Sequence, residues 1–416
     1  MAGDFVDYLY SLAPRGSKPG LERIFCALHD LGDPQNALRV INVTGTNGKG
    51  SYCTLLADIL SRSGYRTGAF SSPHLEDIRE SITLDGEMIQ RSVLSDILER
   101  IHHVLETHEL TQFEALTVSA IMFFKESSAD IVVMEVGMGG EKDATNVFSE
   151  NLMSVILGVS LDHTSFLGSS LKDIALEKSG IMKKGCPLFC AVQDKDALDV
   201  IHVKAAELNC EVYQSKSEYE IISRSFDKTS FKYQDNIYHL NGGALYQVAN
   251  AVKVLDSLSV LRARGIHVSQ SAVISAFSAF YRPARFEIFS VDPVVIFDGG
   301  HNPECTEALV HDLSSFFGDE KLYLIVGVMA DKDVESICRD LSKIASKVFT
   351  VAPNNPRALN AEALCEVFKS FGVDARACHS FEEALIAWRE NGSHPLVCAG
   401  SLYSYAEFKK AFNCIK

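Results

Sequence analysis

The sequence predicts an α/β protein of two domains, each built on a mostly parallel sheet, and three observations predict it. The chain has 416 residues, more than one hydrophobic core ordinarily organises. Short apolar runs such as Arg39–Val43, Asp130–Val136 and Ser154–Val159 alternate with stretches whose apolar residues recur at helical spacing, which is the rhythm of βαβ units. Most of these runs end in glycines or polar residues, and open α/β sheets bind their ligands at the C-terminal ends of the strands.

Composition narrows the function classes. A hydrophobic content of 47% with 22% charged residues is that of an ordinary globular protein. No run approaches the roughly 18 apolar residues of a membrane helix. The N-terminus, Met1-Ala2-Gly3-Asp4-Phe5, lacks the basic and apolar regions of a secretory signal, so a cytoplasmic location is expected. The eleven cysteines are scattered, Cys186 and Cys190 being the closest pair, and they read as free thiols of a reducing compartment rather than a metal or redox site. A net charge of −15, from 54 acidic and 39 basic residues, excludes broad nucleic-acid or anionic-membrane binding. Such a protein can handle polyphosphate by gathering cations locally or recruiting Mg²⁺.

The first run leads into the stretch around which the chain is organised, Val43-Thr44-Gly45-Thr46-Asn47-Gly48-Lys49-Gly50-Ser51. Leu55, Leu56, Ile59 and Leu60 then recur at helical spacing. A strand, a glycine-rich turn and a helix start form a phosphate cradle, because backbone N–H groups and the positive helix end face the anion. Lys49 is placed to reach the outer phosphates and Ser51 to offer a hydroxyl to Mg²⁺. The spacing is irregular for a P-loop: two residues separate Gly45 from Gly48, and Gly50 stands between the lysine and the hydroxyl.

In chain order, residues 1–38 read as helix, loop and helix. Arg66–Phe70 is a short strand running into Ser71-Ser72-Pro73-His74-Leu75. Residues 91–108 form a charged amphipathic helix, and Thr111-Gln112-Phe113-Glu114 opens another. Asp130–Val136 reads as a central parallel strand with a carboxylate, Glu135, near its end. A carboxylate there is costly unless paired or metal-bound. The next strand delivers Asp162-His163, a candidate ligand position facing the loop. Lys178, in a helix ending at Gly180, reads by sequence alone as a surface lysine. Residues 210–240 look like a small antiparallel hairpin insert, and 245–258 and 268–280 return to helix. Tyr281–Arg285 is the domain boundary, giving domains 1–285 and 286–416. The second series of strands ends in Asp298-Gly299-Gly300-His301-Asn302-Pro303, Gly327–Asp333 and Gly400-Ser401-Leu402-Tyr403. Polar faces on two domains are expected to close over one cleft.

Together these motifs resemble the folylpolyglutamate synthases and dihydrofolate synthases, within the Mur-ligase-like ATP-dependent amide ligases. The resemblance covers nearly the whole chain. It rests on Thr44–Ser51, Ser72-Pro73-His74-Leu75, Phe113-Glu114, Glu135-Val136-Gly137-x-Gly139-Gly140, Asp143-Ala144-Thr145-Asn146, Asp162-His163, Glu177–Ile181, Asp298-Gly299-x-His301-Asn302-Pro303, Asp331-Lys332-Asp333 and Gly400-Ser401-Leu402-Tyr403. It implies a P-loop-containing Mur-ligase-like central domain with a mostly parallel sheet, and a smaller C-terminal Rossmann-like α/β domain that acts as the glutamate-ligase domain.

The resemblance also implies residue roles. Asn47, Gly48, Lys49, Gly50 and Ser51 hold the ATP phosphates, and Asn250, Arg285 and Asp298 contact ATP. Ser72, Glu135 and His163 bind Mg²⁺, with two ions expected. Lys178 matches a lysine carbamylated in the family, against its reading as a surface residue. Thr111, Gln112, Phe113 and Glu114 sit where a pterin-bearing substrate binds. The implied reaction phosphorylates a carboxylate with ATP and lets the amine of L-glutamate attack the acyl phosphate. Lys49 and Lys178 serve the chemistry, and His301 or Asp298 takes the amine proton. The expected partners are small molecules (dihydropteroate or a reduced folate, L-glutamate and ATP), with no nucleic acid or membrane, on a monomer.

Two departures stand out. The family's usual Arg-Leu after the double glycine is Glu141-Lys142 here, which puts an acidic group where a basic one would meet an anionic substrate. Ala284 replaces a usual glycine and Gly300 a usual alanine, both small-residue exchanges expected to be benign. The alternatives are a peptidoglycan Mur-type ligase, disfavoured because only 43 residues precede Thr44, and a non-catalytic nucleotide-binding regulator, disfavoured by the presence of Lys49, Glu135 and His163.

Overall fold

The computed structural model describes residues 5–162, 164–392 and 394–415. His163, one of the expected metal ligands, lies outside the described residues. The chain forms two compact units: Met1–Glu220 with Tyr233–Tyr238 and Ala249–Ala279, and Ile221–Lys232 with His239–Val248 and Phe280–Lys416.

The early elements are α1 (Phe5–Ser11), α2 (Glu22–Asp30), β1 (Val40–Thr44), α3 (Lys49–Arg62), β2 (Thr67–Phe70), β3 (Ile82–Leu84) and β4 (Glu87–Met88). Then come α4 (Arg91–Thr107), α5 (Gln112–Glu126), β5 (Ile131–Glu135), β6 (Met153–Ile156), α6 (Thr164–Leu167), α7 (Leu171–Ser179), β7 (Leu188–Cys190), α8 (Lys195–Glu207) and β8 (Val212–Gln214). The strands β1 to β8 make one sheet in the order β4-β3-β2-β5-β1-β6-β7-β8. Its pairings from β2 to β8 are parallel, and β3 and β4 form the antiparallel edge.

All five residues of β1 are buried, as expected for a central strand covered on both faces. Leu9, Leu28, Leu98, Phe124 and Met134 belong to one apolar cluster that joins α1, α2, α4 and α5 to the sheet. Ile156, Ala175, Leu188 and Ile201 belong to another, with α7 and α8. The register sets the functional edge. Val43 pairs with Glu135, Thr44 with Ile156 and Phe70 with Met134. The ends of β2, β5, β1 and β6 therefore lie side by side, bringing Ser72, Glu135, the glycine loop and the segment toward Asp162 to one edge.

An insert follows, with β9 (Glu220–Arg224), β10 (Lys228–Tyr233) and β11 (Asn236–Asn241) in a three-stranded sheet. Helices α9 (Leu245–Ala263) and α10 (Gln270–Ala279) come next. The remaining chain carries β12 (Glu287–Val291), β13 (Val294–Asp298), α11 (Pro303–Phe317), β14 (Leu322–Val326), α12 (Val334–Ser342), β15 (Ala345–Thr350) and α13 (Ala361–Ser370). It ends with β16 (Asp374–Ala377), α14 (Phe381–Glu390), β17 (Leu396–Ala399) and α15 (Tyr405–Ile415). These six strands run β12-β13-β17-β14-β15-β16, parallel except for the edge strand β12. Ile296, Leu313, Leu324, Val348 and Phe368 are members of this unit's apolar core.

Three features of the fold differ from the expectation. The start of the insert, Val212–Gln214, pairs with β7 and belongs to the large sheet. The insert itself has three strands instead of a two-stranded hairpin. Strands β3, β4, β7, β12 and β16 have no counterpart in that expectation. Four of them are two to four residues long, too short for alternation to show. None of the eleven cysteines is in a disulfide, and among the described residues no helix is long and apolar enough to cross a membrane.

Candidate active site

The loop after β1 owes its shape to two glycines. Gly48 caps α3 in the left-handed region at φ 84°, which glycine adopts without steric cost. A Cβ there would stand 2.5 Å from Asn250 Oδ1, so the side chain of Asn250, itself buried, lies directly against the loop. A Cβ on Gly45 would stand 3.0 Å from Leu157. Thr46 Oγ1 accepts from the Ser160 amide at 3.0 Å, tying the loop to the segment after β6. Lys49 Nζ donates to the carbonyls of Gly45 at 2.8 Å and Thr46 at 3.2 Å. The lysine thus lies over its own loop, at the amino end of a fourteen-residue helix. Ser51 is buried in the first turn of that helix.

Beside the loop, Glu135 is 3% exposed, and its Oε2 accepts from the Ser72 amide at 3.3 Å. The glycines after β5 let this strand end pack on α7. A Cβ on Gly140 would stand 2.8 Å from the Glu177 carbonyl and 2.9 Å from that of Lys178. The Glu141 amide donates to the Glu177 carbonyl at 2.9 Å. Gly180 ends α7 with an ordinary φ of −62°; it must be glycine because a Cβ would stand 2.3 Å from that of Glu141. Glu141 and Lys142 are exposed.

Lys178 corrects the reading made from its residue type. It is 3% exposed, and among the described residues no side-chain hydrogen bond or ion pair holds its ammonium group. Burial brings its pKa down from 10.5 to about 7, with Lys49 adding repulsion, while Asp162, Glu177 and Asp143 oppose the fall. Asp143 is a member of this cluster to which the sequence reading gave no role. Its carboxylate accepts from the Met138 amide (2.9 Å), the Thr145 amide (3.0 Å) and the Thr145 hydroxyl (2.7 Å). Burial still pushes its pKa up from the ordinary aspartate value. The available signal was a carboxylate placed just after a run of glycines.

In the segment Thr111–Glu114, polar atoms serve the fold. Thr111 and Glu114 form a capping box at the start of α5. Glu114 also takes an ion pair from Arg23 at 2.9 Å, and Gln112 Nε2 donates to the Leu9 carbonyl at 3.0 Å. Phe113 is the member that faces the sheet edge. Its ring lies 5.8 Å from that of Phe70, and a Cβ on Gly137 would stand 2.7 Å from it.

The second unit holds the other expected nucleotide contacts. Asp298, at the end of β13, is 2% exposed. Its carboxylate accepts from the Tyr246 hydroxyl at 2.5 Å, the Phe286 amide at 2.9 Å and the Gly300 amide at 2.7 Å. Arg285 stands between two left-handed residues, Ala284 at φ 60° and Phe286 at φ 49°. The glycine-to-alanine exchange at 284 is therefore not conformationally neutral. His301 Nδ1 lies 3.1 Å from the Gly299 carbonyl. A carbonyl can only accept, so Nδ1 carries the hydrogen and Nε2 is the basic nitrogen of the neutral ring.

The donor set suits Mg²⁺ coordinated largely by phosphate and water. Among the described residues no group of three His, Cys, Asp or Glu side chains gathers as a metal site. Magnesium, however, takes one or two carboxylates and completes its shell with water and phosphate oxygens. Glu135 beside Ser72, at the end of the strand next to the loop, fits that pattern.

Two family models match the chain: the Mur ligase middle domain over residues 43–255 and the Mur ligase glutamate ligase domain over residues 284–401. The chain is 32% identical to the folylpolyglutamate synthase of Lacticaseibacillus casei, over 96% of this chain and 95% of that protein. The structure of E. coli FolC in complex with DHPP and ADP superposes with a TM-score of 0.88 at 28% identity, covering 100% of this chain and 99% of the other. The bifunctional folylpolyglutamate synthase/dihydrofolate synthase of Yersinia pestis, complexed with AMPPNP and Mn, gives a TM-score of 0.84 at 28% identity over 98% and 97% of the two chains. With a P-loop, a buried strand-end carboxylate and a buried lysine on one sheet edge, and with these matches along its length, the chain belongs to the folylpolyglutamate synthase/dihydrofolate synthase family of Mur ligases.

Proposed function

We propose that this protein is an ATP-dependent ligase that adds L-glutamate to dihydropteroate and to reduced folates, a bifunctional dihydrofolate synthase/folylpolyglutamate synthase. The observation that carries the reading is the row of strand ends that sets the Gly48–Ser51 loop beside Glu135, Ser72 and Lys178. An acceptor carboxylate oxygen attacks the γ-phosphorus of ATP, and ADP leaves. The glutamate amine then attacks the acyl phosphate carbon. The C–N bond forms, the C–O bond to phosphate breaks, and the amine gives up a proton.

The loop amides and Lys49 hold and neutralise the phosphates. Asn47, Gly50 and Asn250 complete the nucleotide contacts of the first unit, and Arg285 and Asp298 supply those of the second. Two Mg²⁺ ions, held by Ser72, Glu135, His163 and Lys178, supply Lewis-acid polarisation of phosphoryl oxygens when bound. Lys178 serves as a carbamate: with a pKa near 7 much of its amine is neutral and can add to CO₂, lose a proton and become an anionic oxygen donor. Asp298 already accepts three hydrogen bonds, which leaves His301 Nε2 the better acceptor for the amine proton. Phe113 offers a flat apolar face to the pterin ring, with Thr111, Gln112 and Glu114 fixing its position. Residues 1–285 act as the ATP-binding domain and 286–416 as the glutamate-ligase domain, in a cytoplasmic monomer.

The test is ADP release by purified protein given ATP, Mg²⁺, L-glutamate and each acceptor in turn. Release that requires both acceptor and glutamate is expected. ADP release that ignores dihydropteroate and reduced folates alike would overturn the reading and favour a nucleotide-binding regulator.

A further inference from the structure

Asp298 is buried, and its carboxylate offers about four acceptor positions. Two of the three occupied ones are filled by backbone amides, Phe286 at 2.9 Å and Gly300 at 2.7 Å. Phe286 directly follows Arg285, and Gly300 directly precedes His301. The orientation of this one carboxylate therefore sets two turns, each bearing a functional side chain. The third donor is the hydroxyl of Tyr246, at 2.5 Å from Oδ2.

Tyr246 has little freedom to move away. It lies in the first turn of α9, and the preceding amide, that of Leu245, donates to both oxygens of Asp312 at 3.1 and 3.2 Å. Asp312 is in turn locked by Arg224 at 2.6 Å, whose guanidinium lies 4.1 Å above the Phe316 ring. The hydroxyl stays protonated and donating, because burial and the adjacent carboxylate push its pKa well above the ordinary value.

We infer that Tyr246 is a positioning residue for the nucleotide contacts: its hydroxyl fixes the Asp298 carboxylate, and through it the turns that carry Arg285 and His301. The inference rests on the reading of Asp298 as a nucleotide contact. Hydrogen bonds to a charged group weaken binding by about ten-fold or more when lost. Tyr246→Phe is therefore expected to raise the ATP KM and the ADP Kd about ten-fold, with the glutamate KM unchanged and the unfolding midpoint lowered by the lost buried hydrogen bond.

The decisive form is a double-mutant cycle with Asp298→Ala, read as ADP Kd by calorimetry on the folded fraction isolated by gel filtration. Adding Tyr246→Phe to Asp298→Ala should change nothing further. A Tyr246→Phe protein with wild-type ADP affinity, while Asp298→Ala loses affinity, overturns the positioning role. Equal losses from Tyr246→Phe in both backgrounds overturn it too, because the tyrosine would then act independently of the carboxylate. Wild-type ADP affinity in Asp298→Ala overturns the nucleotide reading of Asp298 instead. Should Tyr246→Phe not fold, Tyr246→Met, which also removes the hydroxyl, takes its place in the same cycle: wild-type ADP affinity in that variant beside a loss in Asp298→Ala overturns the inference.

Discussion

Lys178 and Asp298 are buried to the same degree, 3% and 2% exposed, and their surroundings are opposite. Asp298 accepts three hydrogen bonds from groups fixed by the fold. The ammonium group of Lys178 has none among the described residues, and desolvation takes its pKa down to about 7. A buried charge is tolerated when its hydrogen bonds are satisfied and otherwise tends to neutralise. The second unit therefore uses its buried charge as a fixed point of geometry. The first keeps its buried amine chemically unfinished, and the proposed carbamate finishes it.

The largest effects should come from the unfinished side. Lys49→Ala and Lys178→Ala are each expected to abolish acceptor-dependent ADP release. Partial recovery by added short carboxylic acids is expected in Lys178→Ala alone, because a small carboxylate can stand in for the carbamate but not for the phosphate-binding ammonium. Recovery in neither variant, or residual turnover near wild type, would erase the contrast.

A smaller effect concerns stability against pH, measured in CO₂-free buffer. Below about pH 7 both folded and unfolded Lys178 carry the proton, and the desolvation penalty is felt in full. Between about 7 and 10.5 the unfolded lysine holds a proton that the folded one has released. Stability relative to Lys178→Met should therefore rise with pH across that window. A flat difference in denaturation midpoints would show that the lysine is not held by burial alone.

The smallest effect sharpens the other side. Ala284 is fully buried at φ 60°, a conformation costing a non-glycine residue about 1–2 kcal/mol. Ala284→Gly relieves that cost but loosens the unfolded chain by about 0.4–1 kcal/mol. Chemical denaturation should place the variant level with the parent or up to about 1.6 kcal/mol above it, whereas a clear loss would mean the turn beside Arg285 is unstrained.

The same contrast explains what was legible in the sequence. Runs such as Val40–Thr44 and Ile131–Glu135 announce themselves because both faces are buried and, apart from Asn42 and the terminal Thr44 and Glu135, every residue is apolar. The glycine loop and the strand-end carboxylates follow from topology that local patterning already fixes. The burial of Lys178 did not show, because it depends on the glycines after β5 admitting a second backbone close to α7, a tertiary fact that helical spacing cannot carry. The Tyr246–Asp298 bond was hidden for a similar reason: 52 residues separate the partners. At 284 the small size of alanine concealed a demand on φ rather than on volume.

The most direct measurement is ¹³C NMR of the protein incubated with ¹³C-bicarbonate, wild type beside Lys178→Ala. The account predicts a carbamate carbon resonance in the wild type that is absent from the variant and fades as the pH falls below about 7. A wild-type spectrum without that resonance, or one that persists in Lys178→Ala, would contradict it.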